Sequence, residues 1–396
     1  MNNKKVWLFW GIVLIACNLR APITSVGSLV SMIQGDTGMS SALAGFITTL
    51  PLLAFAVVSP FVSTMMDKLG MEWTMLLGLL SMIAGVLTRS FCGVPGIFIG
   101  TTLLGVGIAV GNILLPSIIK ERFPLKVGFM TSLFTTSMST FSAIGSGISV
   151  PAAEAGLGWR GSLAMWLATL ALAALVWSRQ LGRGEEGGPR GREIKGSPSP
   201  ARRVMSSPLS WRIALYMGCQ SFLFYSLVSW LATILQSRGI SAADAGFLVL
   251  VFQLSSIPAS FIFPIWAAKK RDQRLVTFVD SALFTVGVAG VMFAGDNLFI
   301  LIPSLICAGL GTAGSLALAL IFMSYRCKSV QQTATLSGMA QSIGYLLAAV
   351  GPILIGALYD VIGSWMVPLG VLVGVLVLLT LFGVGAARDR YILDEE

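Results

Sequence analysis

Twelve apolar runs, each long enough to form a helix that crosses a bilayer, dominate this chain. About 20 residues suffice at 1.5 Å of rise per residue. The first six centre near Leu19, Leu53, Leu80, Val106, Met138 and Leu167, and the second six near Leu223, Ser255, Leu283, Gly311, Ile343 and Val375. Inside lipid every backbone N–H and C=O must find its partner within the protein, and a helix supplies those partners locally. The composition agrees: 55% of the residues are hydrophobic, 11% are charged, and the mean hydropathy is +0.85. Such values describe an integral membrane protein, and the 44 glycines suit helices that pack closely in lipid.

Several functions are excluded by what the runs leave over. The chain has no histidine, and its five cysteines at 17, 92, 219, 307 and 327 show neither zinc-ligand spacing nor a disulfide framework. No nucleophile and base pair is visible either, so neither a metal centre nor a cofactor is expected and an enzyme is disfavoured. The net charge of +9 does not signal nucleic acid, because the basic residues lie between the runs, where membrane topology places them. Lys4, Lys5 and Leu14-Ile15-Ala16-Cys17 imitate a lipoprotein signal. The apolar run resumes directly after Arg20, however, so this segment reads as a retained helix.

The distribution of Lys and Arg sets the orientation. Most of the 26 lie in the N-terminus, the even-numbered loops and the C-terminus, whereas the opposite loops hold Arg89, Arg160 and Arg238. Both termini are therefore expected in the cytoplasm, for a chain in a cell inner membrane. Residues 181–210, rich in Gly, Ser, Pro and Arg, read as a mobile cytoplasmic linker between a six-helix bundle at 1–180 and another at 211–396. An internal repeat supports that division. Met39 to Phe46 matches Ile240 to Phe247, and Gly105-Val106-Gly107 with Arg122 matches Gly309-Leu310-Gly311 with Arg326. The expected fold is all-α and integral to the membrane, with twelve transmembrane helices in two pseudo-symmetric bundles, the arrangement of major facilitator transporters.

One residue breaks the apolar pattern. Arg20 lies near the middle of the first run, where a guanidinium costs about 3 to more than 10 kcal/mol unless it faces protein, water or a ligand. No Asp or Glu lies at comparable depth in another run. The counter-charge is expected from solution, as an anionic or electron-rich substrate; the alternative is that Arg20 caps backbone carbonyls at a break near Pro22.

Four stretches carry a resemblance: Asn18 to Gly27 in the first run, Gly105 to Pro116 in the fourth, Gly158-Trp159-Arg160 before the sixth, and Leu336 to Tyr345 in the eleventh. With them the chain resembles the cyanate permease and nitroimidazole transporter family of the major facilitator superfamily along nearly its whole length. The superfamily signature between the second and third runs looks present as Ser63 and Asp67-Lys68-Leu69-Gly70, but Glu72 stands where a basic residue is common. The Gly-Pro run of drug exporters is replaced by Gly145 to Pro151. The resemblance implies a transporter of small anions or compact polar heteroaromatics. Alternating access is expected, by a functional monomer in contact with membrane lipids.

The same resemblance implies a cavity lined by runs 1, 2, 4, 5, 7, 8, 10 and 11, whose central polar residues are the site candidates. Arg20 and Thr24 are one helical turn apart. Across the repeat they align with Ser221, beside Gln220, and with Tyr225. Gln341 and Tyr345 repeat the spacing in the eleventh run, Gln253 centres the eighth, and Asn112 lies in the fourth. A planar guanidinium donates two parallel bonds to a carboxylate-like or nitro group, and amides and hydroxyls would orient the rest. The competing reading is that the amides and hydroxyls join helices, at about 0.6 kcal/mol each. Asp67, Lys68, Arg122 and Arg326 read as gating residues at helix ends. Asp280, near the start of the ninth run, is expected to pair with a nearby cytoplasmic Lys or Arg. Two other functions stay open, multidrug efflux and a transport-inactive solute sensor.

Overall fold

The computed structural model describes residues 3–39, 41–181 and 200–393, and the described residues are helical almost throughout. Among the described residues, eleven stretches are long and apolar enough to cross a membrane. One of them, Pro124–Ser178, runs for 55 residues, far beyond one crossing. It is divided where helix α6 (Val127–Ala152) passes through a π turn at Ala153–Leu157 into α7 (Gly158–Ala164) and α8 (Trp166–Ser178). Gly156 (φ 106°) and Gly158 (φ 61°) take left-handed backbone there, which only glycine adopts without strain. That stretch holds two crossings, and the count among the described residues becomes twelve.

The remaining helices are α1 (Asn3–Asn18), α2 (Ala21–Thr37), α3 (Ser41–Leu69), α4 (Met71–Phe91), α5 (Gly93–Arg122), α9 (Pro200–Ser206), α10 (Pro208–Gln236), α11 (Ala242–Ala268), α12 (Arg274–Phe293), α13 (Leu298–Tyr325), α14 (Val330–Ile362) and α15 (Met366–Ala386). Most of the expected 181–210 linker lies outside the described residues. Its last part is helical, with Pro200 and Pro208 each opening a helix, a position where the missing N–H is not needed.

The helices form two compact units. The first comprises Met1–Arg122, Ser137–Arg203 and Val330–Gly338; the second comprises Phe123–Thr136, Val204–Ser329 and Met339–Glu396. Each has a glycine-lined seam. In the first, α4 and α5 approach so closely that a Cβ on Gly85 would lie 2.6 Å from both the Gly100 carbonyl and the Leu104 nitrogen. In the second, α12 and α13 meet at Gly287, Gly311 and Gly314, where an added Cβ would overlap Ala308, Phe284 and Asp280. Without a hydrophobic drive between helices in lipid, close van der Waals contact of this kind holds a bundle together.

Candidate functional site

The first run does not form one helix. Pro22 has no N–H to give the Asn18 carbonyl four residues earlier, and its ring crowds that carbonyl, so α1 ends at Asn18 and α2 starts at Ala21. The loose end is tied locally. Asn18 donates from Nδ2 to the Leu14 carbonyl at 2.8 Å and accepts from Thr169 Oγ1 at 2.7 Å. Arg20 is the residue that caps α2 (φ −127°, ψ −37°), and its carbonyl accepts from the Ile23 and Thr24 nitrogens, each at 3.0 Å. Arg20 is half-buried. The break anticipated near Pro22 therefore exists, and it sets the guanidinium-bearing residue at the positive end of a helix dipole, an electrostatic setting that favours anions.

Around this break the first unit gathers its other polar groups. Thr24 Oγ1 lies 3.0 Å from the Ser142 carbonyl of α6 and 3.2 Å from the Ala21 carbonyl. Ser28 donates to the Ser146 carbonyl at 3.0 Å, so this face of α2 is laced to α6. Asn112 is buried in α5. Its neighbour Gly111 abuts Leu19, the residue before Arg20, since a Cβ on Gly111 would be 2.5 Å from Leu19 Cδ2. The Trp159 and Arg160 pair has a defined task at the far end of α2: Trp159 Nε1 donates to Asp36 at 3.0 Å and Arg160 pairs with it at 2.8 Å.

Arg89, assigned from the sequence to a loop, is instead inside α4 and 1% exposed. Its Nη1 donates to the Pro22 carbonyl at 2.7 Å. The signal available in the sequence was its position two residues before the end of the third run, read as a boundary rather than as membrane depth.

In the second unit α10 and α14, which carry four of the candidates, pass close to one another. Gly344, between Gln341 and Tyr345 on α14, lies so near α10 that a Cβ there would be 3.4 Å from Ser221 Oγ. Ser221 Oγ is 3.3 Å from Gln220 Oε1, and Gln220 Nε2 reaches the Thr312 carbonyl of α13 at 3.4 Å. Gln220, Ser221, Gln341 and Tyr345 are all buried, whereas Tyr225 and Gln253 are half-buried. Trp230 donates to the Pro352 carbonyl at 2.8 Å and packs on Trp365, which makes it a joint between α10 and α14.

Asp280 does not make the expected pair with a basic residue. It is fully buried on α12, one carboxylate oxygen lies 2.7 Å from Ser315 Oγ of α13, and the other has no hydrogen-bond partner. The correction follows from helix phase: Asp280 points into the α12–α13 seam, against Gly314, and not toward the helix end where Arg274 binds Asp272. An Asp280→Asn variant should keep the Ser315 contact without burying a charge. Thermal unfolding is expected to shift by no more than a few degrees, with transport retained; loss of folded protein would contradict this.

Of the gating candidates, Asp67, Arg122 and Arg326 have partners within their own units. Gln331 donates to Asp67, Lys68 is exposed, and Arg122 pairs with Glu72 at 2.8 Å. Glu72, the departure from the superfamily signature, thus supplies a local counter-charge. Arg326, 2% exposed, donates to the Ala386 and Ala387 carbonyls at 3.1 and 2.8 Å and to Gln273. Burial lowers its pKa, opposed by Asp389 and Asp272.

Twelve helical crossings among the described residues, in two units and with a polar helix break in the first, define a multi-pass membrane protein. The profile of the Major Facilitator Superfamily matches residues 8–349, and the chain belongs to that superfamily. It is 36% identical to the 2-nitroimidazole transporter of Escherichia coli (strain K12) over 99% of this chain and 98% of that one. It is also 25% identical to the cyanate transport protein CynX of the same organism over 90% of each chain. Among solved structures, the transporter FucP in its outward conformation superposes with a TM-score of 0.74 at 13% identity, covering 95% of this chain and 97% of FucP, a likeness in fold.

Proposed function

We propose that this transporter carries a small anion or a compact nitro-heterocycle, of the kind named by its cyanate and 2-nitroimidazole relatives, by alternating access across a bacterial inner membrane, with both termini in the cytoplasm. The observation that carries the reading is Arg20 at the N-terminus of α2. There a fixed cation and a helix dipole of the same sign share one helix break. A guanidinium offers a planar fork to a carboxylate-like or nitro group. In the first unit, Thr24 and Asn112 are the polar candidates that accompany Arg20. Within the second unit, taken by itself, the candidates are the amides and hydroxyls of Gln220, Ser221, Tyr225, Gln253, Gln341 and Tyr345. Asp67, Lys68, Arg122 and Arg326 would act at helix ends as conformational latches.

Coulomb's law disfavours a lipophilic cation at such a site. Proteoliposomes containing the purified chain are expected to take up 2-nitroimidazole or cyanate, and not a lipophilic cationic dye. Uptake of the dye alone would reverse the assignment toward multidrug efflux, and absence of any flux would favour a sensor.

A further inference from the structure

Arg89 presents a puzzle that packing does not answer. Its side chain is 1% exposed, yet none of the ion pairs among the described residues includes it. Of its three guanidinium nitrogens, Nη1 donates to the Pro22 carbonyl at 2.7 Å, while Nε and Nη2 make no hydrogen bond to any described residue. A buried cation without an acid is destabilising, and a neutral side chain of similar size would serve a purely structural purpose better. The residue is nevertheless held firmly. Gly100 of α5 is so close that a Cβ there would be 2.7 Å from Arg89 Cβ, which fixes the root of the side chain against the α4–α5 seam.

The atom that Arg89 holds is informative. Pro22 lies in the first turn of α2, two residues beyond Arg20, where the chain has just crossed the break. The guanidinium bonds a backbone carbonyl of that turn from another helix, α4, and so steadies the turn that follows Arg20. Its charge also adds to the positive potential at that turn, with no described acid at ion-pair distance, in a low-dielectric setting.

We propose that Arg89 is a positioning residue for anion binding: it pins the first turn of α2 through the Pro22 carbonyl and supplies a second, buried positive charge behind Arg20. The inference rests on the reading that Arg20 receives the anion. A transport site built on one half-buried arginine thereby gains a backing cation that never needs to touch the substrate.

The test uses the full purified chain in detergent, with cyanate and 2-nitroimidazole as titrants and thermal unfolding of the ligand-free protein measured in parallel. Arg89→Gln removes the charge and shortens the donor; it is expected to weaken binding by about tenfold while leaving the ligand-free unfolding temperature unchanged or raised. Arg89→Lys keeps a charge and a donor and is expected to restore most of the affinity. A residue that served packing alone would show a lowered unfolding temperature in Arg89→Gln, or a failure to fold, with no rescue by lysine; either overturns the inference. Arg20→Ala run alongside separates the two ideas. Weakened binding in Arg20→Ala with unchanged affinity in Arg89→Gln overturns the role of Arg89 alone. Unchanged binding in Arg20→Ala, or a wild-type chain that binds neither titrant, overturns the anion reading and this inference with it.

Discussion

Arg20→Ala is expected to lower the affinity for cyanate or 2-nitroimidazole by about 100-fold, read by isothermal titration of the purified protein. Truncating one partner of a hydrogen-bonded charge pair costs about 2–5 kcal/mol, and about 1.4 kcal/mol corresponds to each tenfold. Loss should not be total, because the positive end of α2 remains and contributes about 0.3–1 kcal/mol on its own. Arg20→Lys separates charge from shape: the ammonium keeps the positive charge and loses the planar fork, so an intermediate loss of about tenfold is expected. The break itself depends on Pro22 and not on the arginine side chain, so neither variant should change the helical content measured by circular dichroism. Full affinity for both ligands in Arg20→Ala would remove the basis of the proposed function.

The second large effect concerns the fold. Gly85→Leu should abolish or severely reduce recovery of monodisperse protein in size-exclusion chromatography. At this position the nearest atoms are all backbone, the Gly100 carbonyl and the Leu104 nitrogen at 2.6 Å and the Leu104 Cα at 3.0 Å, so no side chain can turn aside. Helices α4 and α5 would have to separate along their seam, at a cost of about 3 kcal/mol or more. Gly374→Leu on α15 is the matched control: nothing lies within 4 Å of a Cβ there, and a change within about 0.5 kcal/mol is expected. A well-behaved Gly85→Leu protein with the unfolding temperature of the control would show that the seam is not what holds the first unit together.

Much of this molecule was legible before any coordinates. The periodic apolar runs specified the number of crossings because lipid leaves the backbone no other way to satisfy its hydrogen bonds. Arg20 stood out for a similar reason, since a charge at that depth must be answered by something. The sequence was less informative where the answer depends on which way a helix faces. Asp280 and Arg274 are six residues apart, near enough to suggest a local network, yet helix phase turns the carboxylate into α13 and leaves Arg274 to Asp272. Arg89 reads as a loop cation because hydropathy fades over several residues at the end of a run, a span as long as the distance separating a buried guanidinium from a solvated one, and the structure sets it inside α4.

By itself, then, the sequence determined an all-helical membrane protein of twelve crossings, its superfamily resemblance, and a cation that demands explanation. These follow from local rules: hydropathy, helix rise and the cost of charge in lipid. The tertiary structure decided that the cation sits at a helix break, that Leu19 next to it meets Gly111 of α5, that Ser221 lies against Gly344 of α14, and that Arg89 holds the Pro22 carbonyl. Those facts depend on close approach between segments far apart in the chain, at distances fixed by glycine seams and helix phase, and no local rule contains them.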